Sequence, residues 1–265
     1  MSFDETVLRR ALFLPGTGEE LNPFRNTRLL LAEPGAVRIL CALALNLGKR
    51  LGIFRRQRGG GKIMAGGVDS VMRVLAESHA RIAPPIGNVT DKVGLEIGPG
   101  DNLGLAEIFL AAGAREMHAV ERLGTVQWSG ELQRRIHAVH GSVPRKTPQL
   151  HVCRFEDCPI RNLDFIYSVD VMEHVQDLRL IFRAAFNTLK PGGMFVNAID
   201  FRGHNAFNLE SAPLNFLICN DWLYELMHSH IVTSNRVRIG QAVEALTAEG
   251  FEVKAVICTR QASLD

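Results

Sequence analysis

The chain has 265 residues, of which 46% are hydrophobic and 22% are charged, and its formal net charge at pH 7 is +2. This composition predicts a globular protein with one well-filled core and an extension. A net charge this small gives no argument for nucleic-acid binding, so we expect no nucleic acid among the partners.

Cysteine usage and the first residues predict a cytoplasmic protein. The five cysteines are scattered and odd in number, and Cys153 and Cys158 are spaced too widely for a zinc knuckle. We therefore expect reduced thiols and no metal site. The first five residues are not basic and adjoin no apolar segment, so we expect no signal peptide.

The first ninety residues do not alternate regularly between strand and helix patterns. Residues 8–14 have a helical pattern, and residues 37–47 form an apolar stretch that is too short to span a bilayer. Five basic residues follow this stretch: Lys49, Arg50, Arg55, Arg56 and Arg58. Residues 37–58 therefore have two interpretations, a helix packed on the core or a peripheral contact with an anionic membrane surface. A further helix is predicted over 68–79, closed by the pair Pro84 and Pro85.

From about residue 90 onward, strand-like and helix-like patterns alternate. The predicted strands are 93–97, 116–121, 150–155, 163–171, 193–199 and 251–259. The predicted helices are 103–112, 126–139, 178–189 and 236–248. Alternation of this kind predicts a parallel sheet with helices on both faces, and ligands bind beyond the carboxyl ends of such strands.

The turn after the first of these strands is the most informative segment. A short apolar run leads to Glu96, and Gly98 and Gly100 follow before a helical pattern begins. Glycine has no Cβ, so the backbone can turn sharply and a ligand can lie against it. Glu121 follows about 20 residues later, where an acid can accept hydrogen bonds from both hydroxyls of a ribose. This spacing predicts a nucleoside cofactor, and the alternative is two ordinary turn glycines and a solvated acid.

Four elements in this order resemble the class I S-adenosylmethionine-dependent methyltransferases. They are residues 95–100, 119–121, 163–175 and 189–195. The resemblance implies an α/β fold over residues 91–265, a Rossmann-like and mostly parallel sheet flanked by helices. Residues 1–90 would then form an N-terminal helical extension or cap. The resemblance also implies S-adenosyl-L-methionine as the cofactor.

The resemblance further implies roles for single residues in the cofactor site. Glu96 would hold the methionine ammonium beside the turn of Gly98 and Gly100, and Glu121 would hold the ribose. Glu156 and Asp157 follow the third strand, where family members pack the adenine and accept a hydrogen bond from its amino group. A pair of solvated loop acids is the other interpretation of these two residues.

Asp170 and His174 lie at the end of the fourth predicted strand, where the substrate and the methyl donor of the family meet. Asp170 is assigned to the cofactor site. His174 is the candidate general base for a hydroxyl acceptor, because imidazole titrates near neutral pH. Two other interpretations stay open. Asp170 and Glu173 also fit a helix-capping pattern, and an Asp, Glu and His set could hold a metal.

The chain departs from the family pattern in two places. The third glycine of the turn is replaced by Asn102, and the next glycine is Gly104. Asparagine tolerates left-handed backbone conformations, so we expect the turn to keep its shape. The chain stops at Asp265, without room for the antiparallel strand that usually ends the family's sheet. Either the sheet lacks that strand or the natural product is truncated.

These observations predict S-adenosylmethionine-dependent methyl transfer to a small-molecule or glycan acceptor. Residues 213–253 resemble family members that modify such acceptors. The protein is expected in the cytoplasm, with peripheral contact at the inner membrane face as an open alternative. Two other functions stay open. One is a non-catalytic, methyltransferase-like binding protein, and the other is a nicotinamide-dependent oxidoreductase, since two glycines and a later acid also bind dinucleotides. The acceptor atom and the oligomeric state do not follow from the sequence.

Overall fold

The computed structural model describes residues 66–122, 126–127, 129–204, 214–227 and 234–258, together with 27–28, 40–41, 43–44, 47 and 262–263. The chain forms two compact units. The larger unit comprises residues 55–200 and 240–251, and the smaller one comprises 1–54, 201–239 and 252–265.

Strands and helices are numbered here in chain order over the described residues. The strands are β1 (Thr27–Arg28), β2 (Val93–Ile97), β3 (Glu116–Val120), β4 (Gln149–His151), β5 (Leu163–Val169), β6 (Leu189–Ala198) and β7 (Ala262–Ser263). The α-helices are α1 (Gly67–Ile86), α2 (Gly104–Ala111), α3 (Gly130–His140), α4 (Leu178–Thr188), α5 (Asp221–Met227) and α6 (Ile239–Ala248). Short 3-10 helices span Phe155–Asp157, Met172–His174 and Asn215–Leu217.

A five-stranded parallel sheet forms the centre of the larger unit. Its strands lie in the order β4-β3-β2-β5-β6, and every neighbouring pair is parallel. All five residues of β2 are buried, as expected for the middle strand of a sheet covered on both faces. Because the strands are parallel, their carboxyl ends finish at one edge, and the strand order changes direction there between β2 and β5. This edge is called the ligand edge below.

Local signals in the sequence fix where the helices begin and end. The Ser129 hydroxyl accepts a hydrogen bond from the Leu132 N–H (3.2 Å) at the start of α3, and Gly141 follows its end at φ 65°. The Asp177 carboxylate accepts one from the Leu180 N–H (3.0 Å) at the start of α4. Both are ordinary N-caps, which satisfy N–H groups that have no partner inside the helix.

Helix α1 packs into the same core as the sheet. Its buried apolar side chains recur at helical spacing and meet apolar side chains of α2, α3 and the sheet. The α1 members of this core are Val71, Leu75, Ile82 and Ile86. All four of these side chains are at most 6% exposed, and Phe109 of α2 is 2% exposed. The sheet and α1 are therefore stabilised by one continuous apolar core.

The predicted α/β fold is confirmed, with two local corrections. Helix α1 does not close at Pro84 and Pro85 but runs through them to Ile86. Prolines are tolerated in this last turn because the Gly87 N–H still donates to Ala83 O (2.9 Å), and Gly87 then ends the helix at φ 70°.

The second correction concerns the last predicted strand. Residues 251–258 form no strand, and the Phe251 ring, within the larger unit, lies 5.3 Å from Phe186 and 5.5 Å from Phe195 between ring centroids. The side chains of residues 252–258 are exposed or only partly buried, so the apolar residues that suggested a strand do not form a buried one. The predicted helix over 8–14 lies outside the described residues, and the division of the chain at residue 90 stays a prediction.

The smaller unit has its own apolar cluster. Phe216, Cys219 and Tyr224 are buried together, and the Arg236 guanidinium lies 4.0 Å from the Tyr224 ring centroid. Arg236 also donates to Asp221 Oδ1 (2.9 Å) and Phe216 O (2.8 Å), so it links the parts of this cluster. Strands β1 and β7 form a separate parallel pair. Among the helices that the structure describes, none has both the length and the apolar composition needed to cross a bilayer.

Candidate functional site

The glycine turn lies at the ligand edge directly after β2. Gly98 and Gly100 adopt φ values of 69° and 76°, a region that side-chain-bearing residues rarely occupy. A Cβ on Gly98 would lie 2.7 Å from Val171 Cγ2, whereas a Cβ on Gly100 would have no atom within 4 Å. The turn is therefore packed against the sheet at Gly98 and open at Gly100. A ligand group can lie against the backbone there, so the turn fits a nucleoside cofactor.

Asn102 supports this turn through its side chain, and not through the left-handed backbone that the sequence suggested. It is not among the described non-glycine residues with positive φ, so its tolerance of left-handed conformations is not used. Its side-chain oxygen accepts a hydrogen bond from the Gly104 N–H (2.9 Å), and its side-chain amide donates to Asp101 Oδ1 (2.8 Å). Asn102 thus binds the N–H of the first residue of α2 from one position before the N-cap, Leu103. A Cβ on Gly104 would lie 2.3 Å from Leu75 Cδ1 of α1, so any other residue there would require Leu75 to shift.

Two acids flank the glycine turn. Glu96 lies within β2 and is 4% exposed, and its carboxyl accepts a hydrogen bond from the Tyr167 hydroxyl of β5 (3.2 Å). Glu121 directly follows β3, is 9% exposed, and accepts a hydrogen bond from the Gly100 N–H (3.3 Å). The structure therefore brings together the two acids and two glycines that the sequence analysis selected.

Burial raises the pKa of Glu96 to about 8. The Tyr167 hydroxyl and the Ala106 N–H lower it in part, and the nearby charge of Glu121 raises it further. The Glu96 carboxyl is therefore mostly neutral at pH 7. A cation placed beside it would restore its charge, which is the property expected of a group that receives an ammonium.

The end of β5 supplies a second cluster of acids. Asp170 has a left-handed backbone (φ 54°), and its carboxylate is held by both terminal nitrogens of Arg81 from α1, at 2.9 and 3.1 Å. Glu173 and His174 follow in a 3-10 turn, with Glu173 buried and His174 partly buried. The capping interpretation of Asp170 is wrong, because the cap of α4 is Asp177.

Glu156 and Asp157 lie in the 3-10 turn after β4. Glu156 is paired with Arg154 and faces a groove bounded by α4 residues, whereas Asp157 is mostly exposed and lies 3.9 Å from Arg154 Nε. Within the described ranges, no group of three or more His, Cys, Asp or Glu side chains is arranged to hold a metal.

Three residues at this edge were missed by sequence reasoning. Arg81 belongs to a helix that was assigned to the extension, and only the tertiary fold brings it to Asp170. Tyr167 is paired with Glu96 by the β2–β5 register, which a single sequence does not specify. Glu173 was considered only in a capping pattern and in a candidate metal set, and its burial was not foreseen.

Comparison with known proteins shows the family to which the chain belongs. The family described as "Methyltransferase domain" matches residues 68–253, which is more than half of the chain. The chain belongs to this methyltransferase family. The predicted methyltransferase class is confirmed, and the cofactor predicted for it is S-adenosyl-L-methionine. The match begins at the start of α1, in agreement with the shared core of α1 and the sheet.

Solved structures that resemble the chain include two methyltransferases. One is an S-adenosylmethionine-dependent methyltransferase from Mesorhizobium loti, with 16% identity, coverage of 72% of this chain and 84% of that chain, and a TM-score of 0.43. Another is phosphoethanolamine N-methyltransferase 2 of Haemonchus contortus, with 17% identity, coverage of 68% and 36%, and a TM-score of 0.43. No curated protein sequence matches the chain. The family assignment rests on the domain match.

The buried Glu96 carboxyl predicts a pH-dependent stability. A carboxyl whose pKa rises from 4.5 to about 8 on folding stabilises the folded state below pH 4.5, and this stability is lost as the pH rises through 8. We expect Glu96→Gln to flatten the fall in the free energy of unfolding over this range by up to about 1.4 kcal/mol per pH unit. Urea unfolding at several pH values between 4.5 and 8 measures this free energy, with Glu131→Gln on the exposed face of α3 as the control. Identical pH profiles for Glu96→Gln and the unmodified chain would contradict the burial argument.

Proposed function

We propose that this chain transfers a methyl group from S-adenosyl-L-methionine to a small-molecule or glycan acceptor at the ligand edge. The observation that supports this best is the glycine turn, which is open at Gly100 and flanked by Glu96 and Glu121. When bound, the cofactor supplies a methyl group already activated on a sulfonium. The protein then has to align the acceptor with the methyl–sulfur bond and exclude water.

The residues of the turn divide the work of holding the cofactor. Gly98 and Gly100 let it approach the backbone, and Glu96 receives the methionine ammonium, which restores the charge that burial suppresses. Glu121 accepts hydrogen bonds from the ribose hydroxyls, for which it exchanges its present contact with the Gly100 N–H. Glu156 and Asp157 are the candidates for the adenine amino group.

Acceptor chemistry belongs to the end of β5 in this proposal. Asp170 contributes to the cofactor site through its position at that end, where Arg81 fixes its carboxylate. His174 is the candidate general base for a hydroxyl acceptor, since it lies in the 3-10 turn that follows directly. The alternative of a non-catalytic binding protein would keep the cofactor site and lack turnover.

Replacement of Glu121 tests the cofactor site. We expect Glu121→Ala to weaken binding of S-adenosylhomocysteine by about 1–3 kcal/mol, because two ribose hydroxyls would lose a charged acceptor. Isothermal titration measures the dissociation constant, and Glu131→Ala on the exposed face of α3 is the matched control. An unchanged dissociation constant for Glu121→Ala would show that Glu121 has no contact with the cofactor.

Direct titration tests the cofactor class and the activity together. We expect the full chain to bind S-adenosylhomocysteine and not NAD, because the buried Glu96 carboxyl suits an ammonium that NAD does not carry. Transfer of labelled methyl groups to a pool of small molecules and glycans then measures turnover. Binding of NAD alone would refute the proposal, and binding of S-adenosylhomocysteine without turnover on any pool would select the non-catalytic alternative.

We propose that the region before α1 controls the access of the acceptor to the site, and that it does so in the cytoplasm through a peripheral contact with the inner face of the membrane. The described residues between 40 and 47 are helical, and Leu40 and Leu47 are 65% and 57% exposed. The basic residues of positions 49–58 would complement anionic lipids.

Vesicle binding tests this membrane contact. We expect salt-sensitive binding of the full chain to vesicles of phosphatidylglycerol and phosphatidylcholine, measured by co-sedimentation, because screening weakens lysine and arginine contacts. A chain that begins at residue 66 keeps α1 and so its core, and it should bind S-adenosylhomocysteine but not the vesicles. Equal vesicle binding by both chains would refute the contact, and loss of cofactor binding in a folded short chain would place part of the cofactor site before α1.

A further inference from the structure

A second buried carboxyl lies at the ligand edge, and the assignments above give it no role. Glu173 is 1% exposed, and within the described part of the chain neither of its carboxyl oxygens has a hydrogen-bond partner. The N–H groups of Glu173 and Asp200 lie close enough to influence the carboxyl, but neither forms a hydrogen bond of good geometry with it. A buried polar group without partners lowers the stability of the fold, so its presence at a ligand edge indicates a ligand that completes it.

The charges around Glu173 indicate which charge that ligand carries. The negative charges of Asp170 and Asp200 both act on its carboxyl. The guanidinium of Arg81 is bound to Asp170 through both terminal nitrogens. Asp170, three residues before Glu173, is 45% exposed, so this segment reaches the protein surface. A cation is therefore favoured there over a neutral or anionic group.

We propose that Glu173 binds the acceptor as a protonated amine and takes its proton before methyl transfer, so the acceptor is an amine. This inference rests on the proposed methyl transfer. An ammonium supplies both the positive charge and the several N–H donors that the two carboxyl oxygens lack, whereas a hydroxyl supplies one donor and no charge. Burial raises the pKa of Glu173 to about 8, helped by the two aspartates, which suits proton exchange with an amine.

The step balances with the groups already named. The ammonium loses one proton to Glu173, and the electron pair of the broken N–H bond stays on the nitrogen. The nitrogen then forms a bond to the methyl carbon while the carbon–sulfur bond breaks and its electron pair stays on sulfur. S-adenosylhomocysteine and a methylated ammonium leave, and Glu173 returns its proton to water. For a hydroxyl acceptor, the candidate base would be His174 instead.

Binding of simple cations to the full chain tests the site without knowledge of the natural acceptor. The chain is saturated with S-adenosylhomocysteine, and its unfolding midpoint is measured with ethylamine, benzylamine or putrescine. The matched neutral compounds are ethanol, benzyl alcohol and butanediol, and magnesium chloride tests a metal. We expect an amine to raise the midpoint in the unmodified chain and in Glu107→Gln, a buried acid of α2 that accepts from Gln133 (3.1 Å), but not in Glu173→Gln.

Every other result would contradict either the amine assignment or the proposed function. Stabilisation by magnesium or by a neutral compound in place of the amines overturns the amine assignment, as does an equal amine effect in Glu173→Gln. Absence of any amine effect, while S-adenosylhomocysteine still stabilises the chain, also overturns it and leaves methyl transfer standing. Loss of the S-adenosylhomocysteine effect itself would count against the proposed function instead.

Turnover separates Glu173 from its neighbour His174. With an amine that binds, we expect Glu173→Gln to lower kcat by about 100-fold or more, with partial recovery in Glu173→Asp and a smaller loss in His174→Gln. The rate of the unmodified chain should rise with pH up to about 8 and then level, and this rise should be absent in Glu173→Gln. A larger loss in His174→Gln than in Glu173→Gln would overturn the proton transfer to Glu173.

Because Glu173→Gln removes a buried ionisable group, its unfolding midpoint at pH 8 should exceed that of the unmodified chain, which also checks that the variant folds.

Discussion

The parallel register of β3, β2 and β5 is the constraint on which the site depends. Because these strands run in the same direction, the segments that follow them leave the sheet at one edge. The ladder also continues beyond the strands, since the Gly98 N–H donates to Val120 O (2.9 Å) and the Asp170 N–H donates to Ala198 O (2.9 Å). The glycine turn and the β5 turn are therefore held by the same hydrogen bonds as the sheet. A site built in this way is positioned before any ligand arrives.

This edge holds two carboxyls that the rest of the fold disfavours. Glu96 and Glu173 are both buried, and burial raises the pKa of each to about 8. The Tyr167 hydroxyl donates a hydrogen bond to Glu96, which offsets part of the cost of burying that carboxyl. Among the described residues, no group donates a hydrogen bond of comparable geometry to Glu173. Stability alone would favour apolar residues at both places. Their presence is consistent with the general finding that local conflicts between sequence and fold concentrate at functional sites.

Helix α1 connects the stability of the larger unit to the geometry of its site. Its apolar face completes the core above α2, and Leu75 lies so close to Gly104 that no side chain could replace that glycine without a shift. The same helix carries Arg81, which holds the Asp170 carboxylate at a residue with strained, left-handed backbone. Strain of this kind persists only where surrounding contacts impose it. The helix therefore belongs physically with the sheet, although its sequence does not show the alternation that marks the sheet.

The sequence by itself determined the class of fold, the glycine turn and the acids on both sides of it. It could do so because strand and helix periods, chain-reversing glycines and the acid about 20 residues later are local patterns, readable without long-range contacts. Prediction from the sequence failed where the same local pattern is compatible with two different structures. Residues 251–258 form no strand, although Phe251 packs on Phe186 and Phe195, and Asn102 acts through its side chain and not its backbone.

Only the tertiary structure decided which distant residues meet. The β2–β5 register places Tyr167 beside Glu96, and the packing of α1 brings Arg81 to Asp170 across 89 residues of sequence. The burial of Glu173 likewise results from the elements packed around a three-residue turn. Register, packing and burial depend on the whole chain, because each is a property of surfaces that come together only on folding. A pattern in one segment can name a titratable residue, but its charge state is set by that assembled environment.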